Sequence, residues 1–190
     1  MNWAVKMKYR NLDFLVNEIK DKNVAIVGNA QSLFNYKDGA EIDKADFIIR
    51  FNRGFITRPE CQGSRTDLLI LAIELSNDLI DSYNAKYVVN RCSMRVNKER
   101  ACGFFEKRVK LALRSFFGAK PSSGYIAIDF CLFAGAKSIT LFGFDWERTP
   151  TFYNPKEYKS PHAYSKEENE VRNFVKIGKV KIYREVEQKE

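Results

Sequence analysis

Six short apolar runs alternate with stretches of helical periodicity along this 190-residue chain, and that alternation leaves few folds open. Val24–Val27, Phe47–Phe51, Leu68–Leu71, Tyr87–Val89, Ile139–Phe142 and Val180–Tyr183 are each too short for a helix. All are rich in Val, Ile, Leu or aromatic residues, as strands buried on both faces are. Between them, Leu12, Leu15, Val16 and Ile19 recur at helical spacing. Phe105, Val109, Ala112 and Phe116 are expected to share one helical face, with Arg100, Lys107, Lys110 and Arg114 on the opposite one. Ser122 to Ala134 reads as a helix that begins after a turn at Pro121. Strands separated by helices predict a single α/β domain over residues 1–190, with a largely parallel sheet flanked by helices. In such sheets ligands gather at the carboxyl ends of strands, beside helix N-termini.

Composition sets the outer limits. Hydrophobic residues make up 45% of the chain and charged residues 29%, which excludes disorder and supports a real core. No stretch approaches the roughly 20 apolar residues that span a bilayer. The first residues, with Lys6, Lys8, Arg10 and Asp13 among them, do not read as a signal peptide. The expectation is therefore a soluble, cytoplasmic protein. The formal net charge is +8, and residues 91–120 hold nearly all of it. Arg91, Arg95, Lys98, Arg100, Lys107, Arg108, Lys110, Arg114 and Lys120 face only Glu99 and Glu106 there. Such a segment points to an anionic partner: nucleic acid, a membrane surface, or an acidic sugar or nucleotide. It lacks any recognisable nucleic-acid motif, and aromatic residues are not interleaved with the basic face. Cys61, Cys92, Cys102 and Cys131 form no C-x-x-C pair and the chain has one histidine, so a zinc site is not expected. Free, buried thiols are.

Four segments carry candidate chemistry. Gly28-Asn29-Ala30-Gln31-Ser32 directly follows the first apolar run; a glycine there lets backbone approach a phosphate, and polar side chains add donors. It is neither a Walker A loop nor G-x-G-x-x-G, and a plain strand–turn–helix junction explains it equally well. Arg50-Phe51-Asn52-Arg53-Gly54 lies at the next strand end, beside the first loop if the two strands are neighbours. Pro121-Ser122-Ser123-Gly124 opens an apolar helix, where hydroxyls and free amides hold a ribose, carboxylate or phosphate, or simply cap the helix. His162 stands five positions before Glu167 in a proline-rich, aromatic loop and is the one side chain suited to take a proton near neutrality. No D-x-D triplet is present to anchor a divalent ion, and no G-x-S-x-G elbow marks a serine hydrolase.

In this order the segments resemble the glycosyltransferase family 29 sialyltransferases and, more loosely, the bacterial family 42 enzymes. V-A-I-V-G-N-A-Q-S-L, E-I-D-K-A-D-F-I-I-R-F-N-R-G and G-S-R-T-D are similar to that family's large sialylmotif. P-S-S-G-Y-I-A-I-D-F with I-T-L-F-G-F-D is similar to the small motif, and His162 with Glu167 to the very small one. The likeness spans about residues 24–170. It implies a Rossmann-like, GT-A-like sialyltransferase variant that transfers an acidic sugar from its CMP-activated form with inversion, without metal or other cofactor. Gly28, Asn29, Gln31, Ser32 and Asn52 would bind the donor, Asn29 and Asn52 through its phosphate and ribose. Ser122, Ser123 and Gly124 would hold ribose, phosphate or the donor carboxylate, and His162 would be the general base. Arg50, Arg53, Arg65, Tyr153 and Glu167 would support them.

Departures from the family pattern carry their own expectations. The family's disulfide positions fall near Val24 and Gly135, so that bridge is missing. Lys120 replaces a tyrosine, and the His-Tyr pair ahead of the base is reduced to Phe152-Tyr153, with Tyr153, Tyr158 or Lys159 as replacements. The implied acceptor is a glycan or lipid-linked oligosaccharide. The segment 91–120 would lie near its entrance or rest on the inner face of an anionic membrane. The implied reaction moves sialic acid from CMP-sialic acid to a glycan hydroxyl; the alternatives are the same chemistry with CMP-Kdo or another CMP-nonulosonate and, from other classes, a nucleic-acid-binding or inactive nucleotide-binding domain.

Overall fold

The computed structural model describes residues 9–91, 96–154 and 160–185. Cys92, Arg95, Tyr158 and Lys159 lie outside the described residues. In chain order the elements are α1 (Asp13–Ile19), β1 (Asn23–Val27), α2 (Gly39–Asp43), β2 (Phe47–Phe51), α3 (Pro59–Gln62), β3 (Leu68–Leu71) and α4 (Asn77–Asp81). Then follow β4 (Tyr87–Asn90), β5 (Gly103–Phe104), α5 (Lys107–Phe117), α6 (Ser123–Ala134), β6 (Ser138–Phe142), α7 (Tyr164–Lys176) and β7 (Val180–Ile182). Single 3-10 turns precede α1 and follow β1.

The strands form one sheet in the order β5-β4-β3-β2-β1-β6-β7. Every pairing is parallel. Because the side chains of a strand alternate between faces, each strand feeds two cores. Val24, Ile26, Phe47, Ile49, Leu68 and Ile70 pack under α1, α5 and α6 in the larger one. Ala25, Val27, Ile48, Leu69 and Leu71 face the 3-10 turn and α2–α4 on the other side. Each of these fully buried aliphatic side chains contributes about 1.5–3 kcal/mol of burial free energy. All six apolar runs are strands within a residue of their expected ends; β5, two residues at the sheet edge, is additional.

Helix α5 turns a different face inward from the expected one. Val109, Leu113 and Phe117 are buried, whereas Ala112 is exposed and Phe116 is 65% exposed. Phe105 precedes the helix as an extension of β5, so it does not set the helical register. Both faces have apolar residues at helical spacing, and packing against the sheet selects one. The basic residues of the segment 91–120 differ in their partners. Arg100 pairs with Asp81 and Arg108 with Glu106, both at 2.6 Å. Lys107, Lys110 and Arg114 on α5 have no ion pair among the described residues. Cys61 and Cys131 are buried free thiols as expected, but Cys102 is exposed at the edge strand. No helix among the described residues is long and apolar enough to cross a membrane.

Candidate functional site

The chain runs outward from β1 to β5, then returns through α5 and α6 to β6 on the other side of β1. The strand order therefore reverses between β1 and β6, and a crevice opens at the carboxyl ends beside such a switch point. The loop after β1, the loop after β2, the N-terminus of α6 and the segment after β6 meet there.

The first loop is more closed than its sequence implies. Gly28 N–H donates to Phe142 O (2.7 Å), Ala30 N–H to Gly143 O (3.4 Å) and Gln31 N–H to Pro150 O (2.8 Å). Ser32 N–H donates to Thr149 Oγ1 (3.2 Å), and Ser32 Oγ to the buried Asp145 carboxylate (2.9 Å), which Thr149 Oγ1 also reaches (2.5 Å). A Cβ on Gly28 would stand 2.3 Å from Gly143 O, so this glycine admits a neighbouring loop. Gly28, the Gln31 backbone and Ser32 thus hold residues 143–150 in place. Strand-end amides satisfy whichever acceptor is nearest, and here it is protein.

Asn29 and Asn52 remain at the opening. Asn29 Nδ2 donates to Phe51 O (3.1 Å), and its carbonyl accepts from Phe152 N–H (3.0 Å), joining all three loops. Asn52 adopts the left-handed region at φ 49°. That turn directs Oδ1 to accept from Ala72 N–H (2.7 Å) while its carbonyl accepts from the Tyr83 hydroxyl (2.8 Å). Each asparagine keeps amide hydrogens that these bonds do not use.

At the head of α6, Ser122 caps the helix: its Oγ accepts from Tyr125 N–H at 3.0 Å. The same hydroxyl donates to Glu167 Oε2 at 2.6 Å, and Ser122 N–H donates to Oε1 at 2.7 Å. Ser122 and Glu167 are therefore bonded to each other through both the amide and the hydroxyl of the serine. Burial pushes the Glu167 carboxyl above its ordinary value, against the pull of both Ser122 bonds and of Arg91. Ser123 and Gly124 follow in the first turn, whose N–H groups lack intrahelical acceptors. Gly124 is held close to Phe144, whose ring would be 2.7 Å from an added Cβ.

His162 joins this helix terminus. Its Nδ1 lies 2.8 Å from Lys120 O. A carbonyl oxygen only accepts, so Nδ1 carries the hydrogen and Nε2 keeps a lone pair. Burial lowers the imidazole below its ordinary value; the bond to the Lys120 backbone opposes this, and the charges of Arg91 and Lys120 add to it. The ring is therefore neutral at pH 7, and its edge packs on Tyr164 at 5.5 Å.

The arginines divide. Arg50 is 1% exposed, and it donates to Arg65 O (3.0 Å), Thr66 Oγ1 (3.1 Å) and Gln62 O (2.7 Å). Burial takes its guanidinium down to about 10. Arg65 binds Asp43 O, Ala45 O and Asp67, the residues leading into β2 and β3. Both are structural, and Arg65 sits at the amino ends of the strands, across the sheet from the site. Arg53 stays exposed just beyond β2. Tyr153 is also exposed, within electrostatic reach of Tyr83 and Tyr164. Arg91, one residue beyond β4 and within electrostatic reach of His162 and Glu167, is a further residue that the motifs do not single out. Its position just past a strand end, like those of Asn29 and Asn52, was the available signal.

The glycosyltransferase family 29 (sialyltransferase) model matches residues 7–87, which hold the first two loops and end before α6 and His162. No curated sequence is similar enough to match. A mammalian sialyltransferase structure shares 15% identity and a TM-score of 0.63, over 98% of this chain and 87% of that one. A mammalian sialyltransferase in complex with Gal-beta-1-3GalNAc-ortho-nitrophenol shares 17% and 0.58, over 86% and 69%. CstII from Campylobacter jejuni, in complex with the substrate analogue CMP-3FNeuAc, shares 15% and 0.61, over 85% and 81%. The chain has the fold of the sialyltransferases, and residues 7–87 carry the sequence pattern of glycosyltransferase family 29.

Proposed function

We propose that this protein is an inverting, metal-independent glycosyltransferase that moves sialic acid from CMP-sialic acid to a glycan hydroxyl, with His162 as general base. The observation that carries the reading is the bare Nε2 of His162, fixed by the bond from Nδ1–H to Lys120 O at the head of α6. An acceptor hydroxyl that donates to Nε2 loses its proton there as its oxygen attacks the anomeric carbon. The bond to CMP breaks on the opposite face, which inverts that carbon, and the phosphate takes the electron pair. Donors must then meet the developing phosphate charge. The unused amide hydrogens of Asn29 and Asn52, the first-turn N–H groups of Ser123 and Gly124, and the exposed Arg53 can supply them without a metal ion. Tyr153 is the candidate for the contact made elsewhere by the family's second histidine.

A CMP-Kdo or other CMP-nonulosonate donor presents the same carboxylate and cytidine, so comparison of CMP release from each donor decides the sugar. The acceptor would be a glycan or lipid-linked oligosaccharide. Exposed Leu111 and Phe116, flanking the unpaired Lys107, Lys110 and Arg114 of α5, support peripheral contact with the anionic inner face of a membrane. That contact would place the enzyme in the cytoplasm. Thermal shift with nucleotides tests the donor assignment: CMP at 100 times its Kd adds about 2.7 kcal/mol. Stabilisation by CMP but not UMP, GMP or AMP is expected, and an equal response to all four would overturn it.

A further inference from the structure

Arg91 closes the sheet at the carboxyl end of β4, where its backbone N–H donates to Leu71 O at 2.7 Å. The side chain is half-buried and its Nε is screened from solvent, yet no described residue accepts a hydrogen bond from that Nε. None of the ion pairs among the described residues involves it. Other screened arginines differ. Arg50 has three acceptors, and Arg148, whose Nε is also unpaired, binds both Glu168 oxygens and Asp145 O through its Nη atoms. A donor screened from solvent without a partner is costly in a folded protein and calls for a specific explanation. An anionic ligand is a direct one, because a guanidinium offers Nε and Nη in a fork that matches two oxygens of a carboxylate or phosphate.

Its neighbourhood says which end of a ligand it meets. The Arg91 charge acts on both His162 and Glu167. A cation whose field reaches the general base also reaches the carbon that the base's partner attacks. In a CMP-activated acidic sugar that carbon bears both a carboxylate and the phosphate ester, so two oxyanions meet at one atom. We propose that Arg91 binds the oxyanion on the donor's reacting carbon through its unpartnered Nε and an adjacent Nη. The inference rests on the donor chemistry of the proposed function and adds a cationic contact at its centre.

The test measures affinities of wild type, Arg91→Ala and Arg91→Lys for cytidine, CMP and a 3-fluoro CMP-sialic acid analogue. Cytidine lacks both oxyanions and reports whether the pocket is intact. If Arg91 holds the phosphate, Arg91→Ala weakens CMP and the analogue alike by roughly 10- to 100-fold, with cytidine unchanged. If it holds the carboxylate, only the analogue weakens. Arg91→Lys restores part of either loss, since it keeps the charge without the fork. Equal affinities of wild type and Arg91→Ala for all three ligands would overturn the proposal. So would an equal loss for all three, which marks a structural role. Wild type that binds none of them would instead refute the donor chemistry itself.

Discussion

Glu167 gives the sharpest stability prediction, because its carboxylate is nearly inaccessible at 2% exposure and serves one residue. It accepts Ser122 N–H at 2.7 Å and Ser122 Oγ–H at 2.6 Å. Glu167→Ala strands both donors. Hydrogen bonds to charged groups contribute about 1.5–3 kcal/mol each, and relief from burying the carboxylate offsets part of the loss. The net cost is about 3 kcal/mol, a fall in Tm of roughly 6–12 °C for a chain of this length. Glu167→Gln keeps an acceptor for Ser122 N–H, and its amide can donate to Ser122 Oγ, so it should cost less than about 1 kcal/mol. The pH dependence has a definite sign. Because burial raises the Glu167 carboxyl above 4.5, its contribution to stability is complete below that value and is lost as pH rises through the raised one. Glu167→Gln should therefore gain on wild type as pH climbs from 4.5 toward neutrality. Denaturant titration across pH measures all three, with turnover followed in parallel. Turnover of Glu167→Gln should fall less than about 10-fold, since the residue positions α6 and transfers no proton. A cost below about 1 kcal/mol for Glu167→Ala would refute the capping argument.

Further outcomes follow from the same geometry. Gly28→Ala drives a Cβ to 2.3 Å from Gly143 O and should destabilise by roughly 1–3 kcal/mol in urea titration, because backbone must move. Arg50→Met removes a buried cation that serves three acceptors and should cost about 3 kcal/mol while leaving CMP affinity unchanged in calorimetry. If α5 contacts a membrane, Phe116→Ser with Arg114→Glu should abolish co-sedimentation with anionic vesicles, and neutral vesicles should bind neither protein.

Much of this architecture is legible from composition along the chain, for physical reasons that also explain the misreadings. A strand buried on both faces needs an unbroken apolar run, so Phe47–Phe51 and Leu68–Leu71 announce themselves. Gly103–Phe104 is too short to form a pattern. Leu111, Ala112 and Phe116 interleave with Val109, Leu113 and Phe117 along α5, and periodicity alone does not choose the inward set. Asn29, Asn52 and His162 were placed at the carboxyl ends by the strand-end rule and the family resemblance. Gln31, Ser32 and Ser122 are of residue types that bind phosphate and that also close turns and cap helices. Only the partners distinguish the two uses, and those partners, Pro150, Asp145 and Glu167, are 45 to 119 positions away. Arg65, a supporting residue only by the resemblance, meets Asp43, Ala45 and Asp67 at the amino ends of the strands, and a motif does not say which end of the sheet a side chain meets.

The central claim is that the neutral His162 takes the acceptor's proton. Turnover and CMP affinity of His162→Gln, with a pH profile of wild type, test it most directly. Loss of the base should lower kcat by roughly 10²- to 10⁴-fold while CMP binds as before. The wild-type rate should fall on the acid side below pH 6.5, because burial depresses the imidazole and activity requires its unprotonated form. Turnover of His162→Gln within about threefold of wild type, at unchanged CMP affinity, would contradict the account.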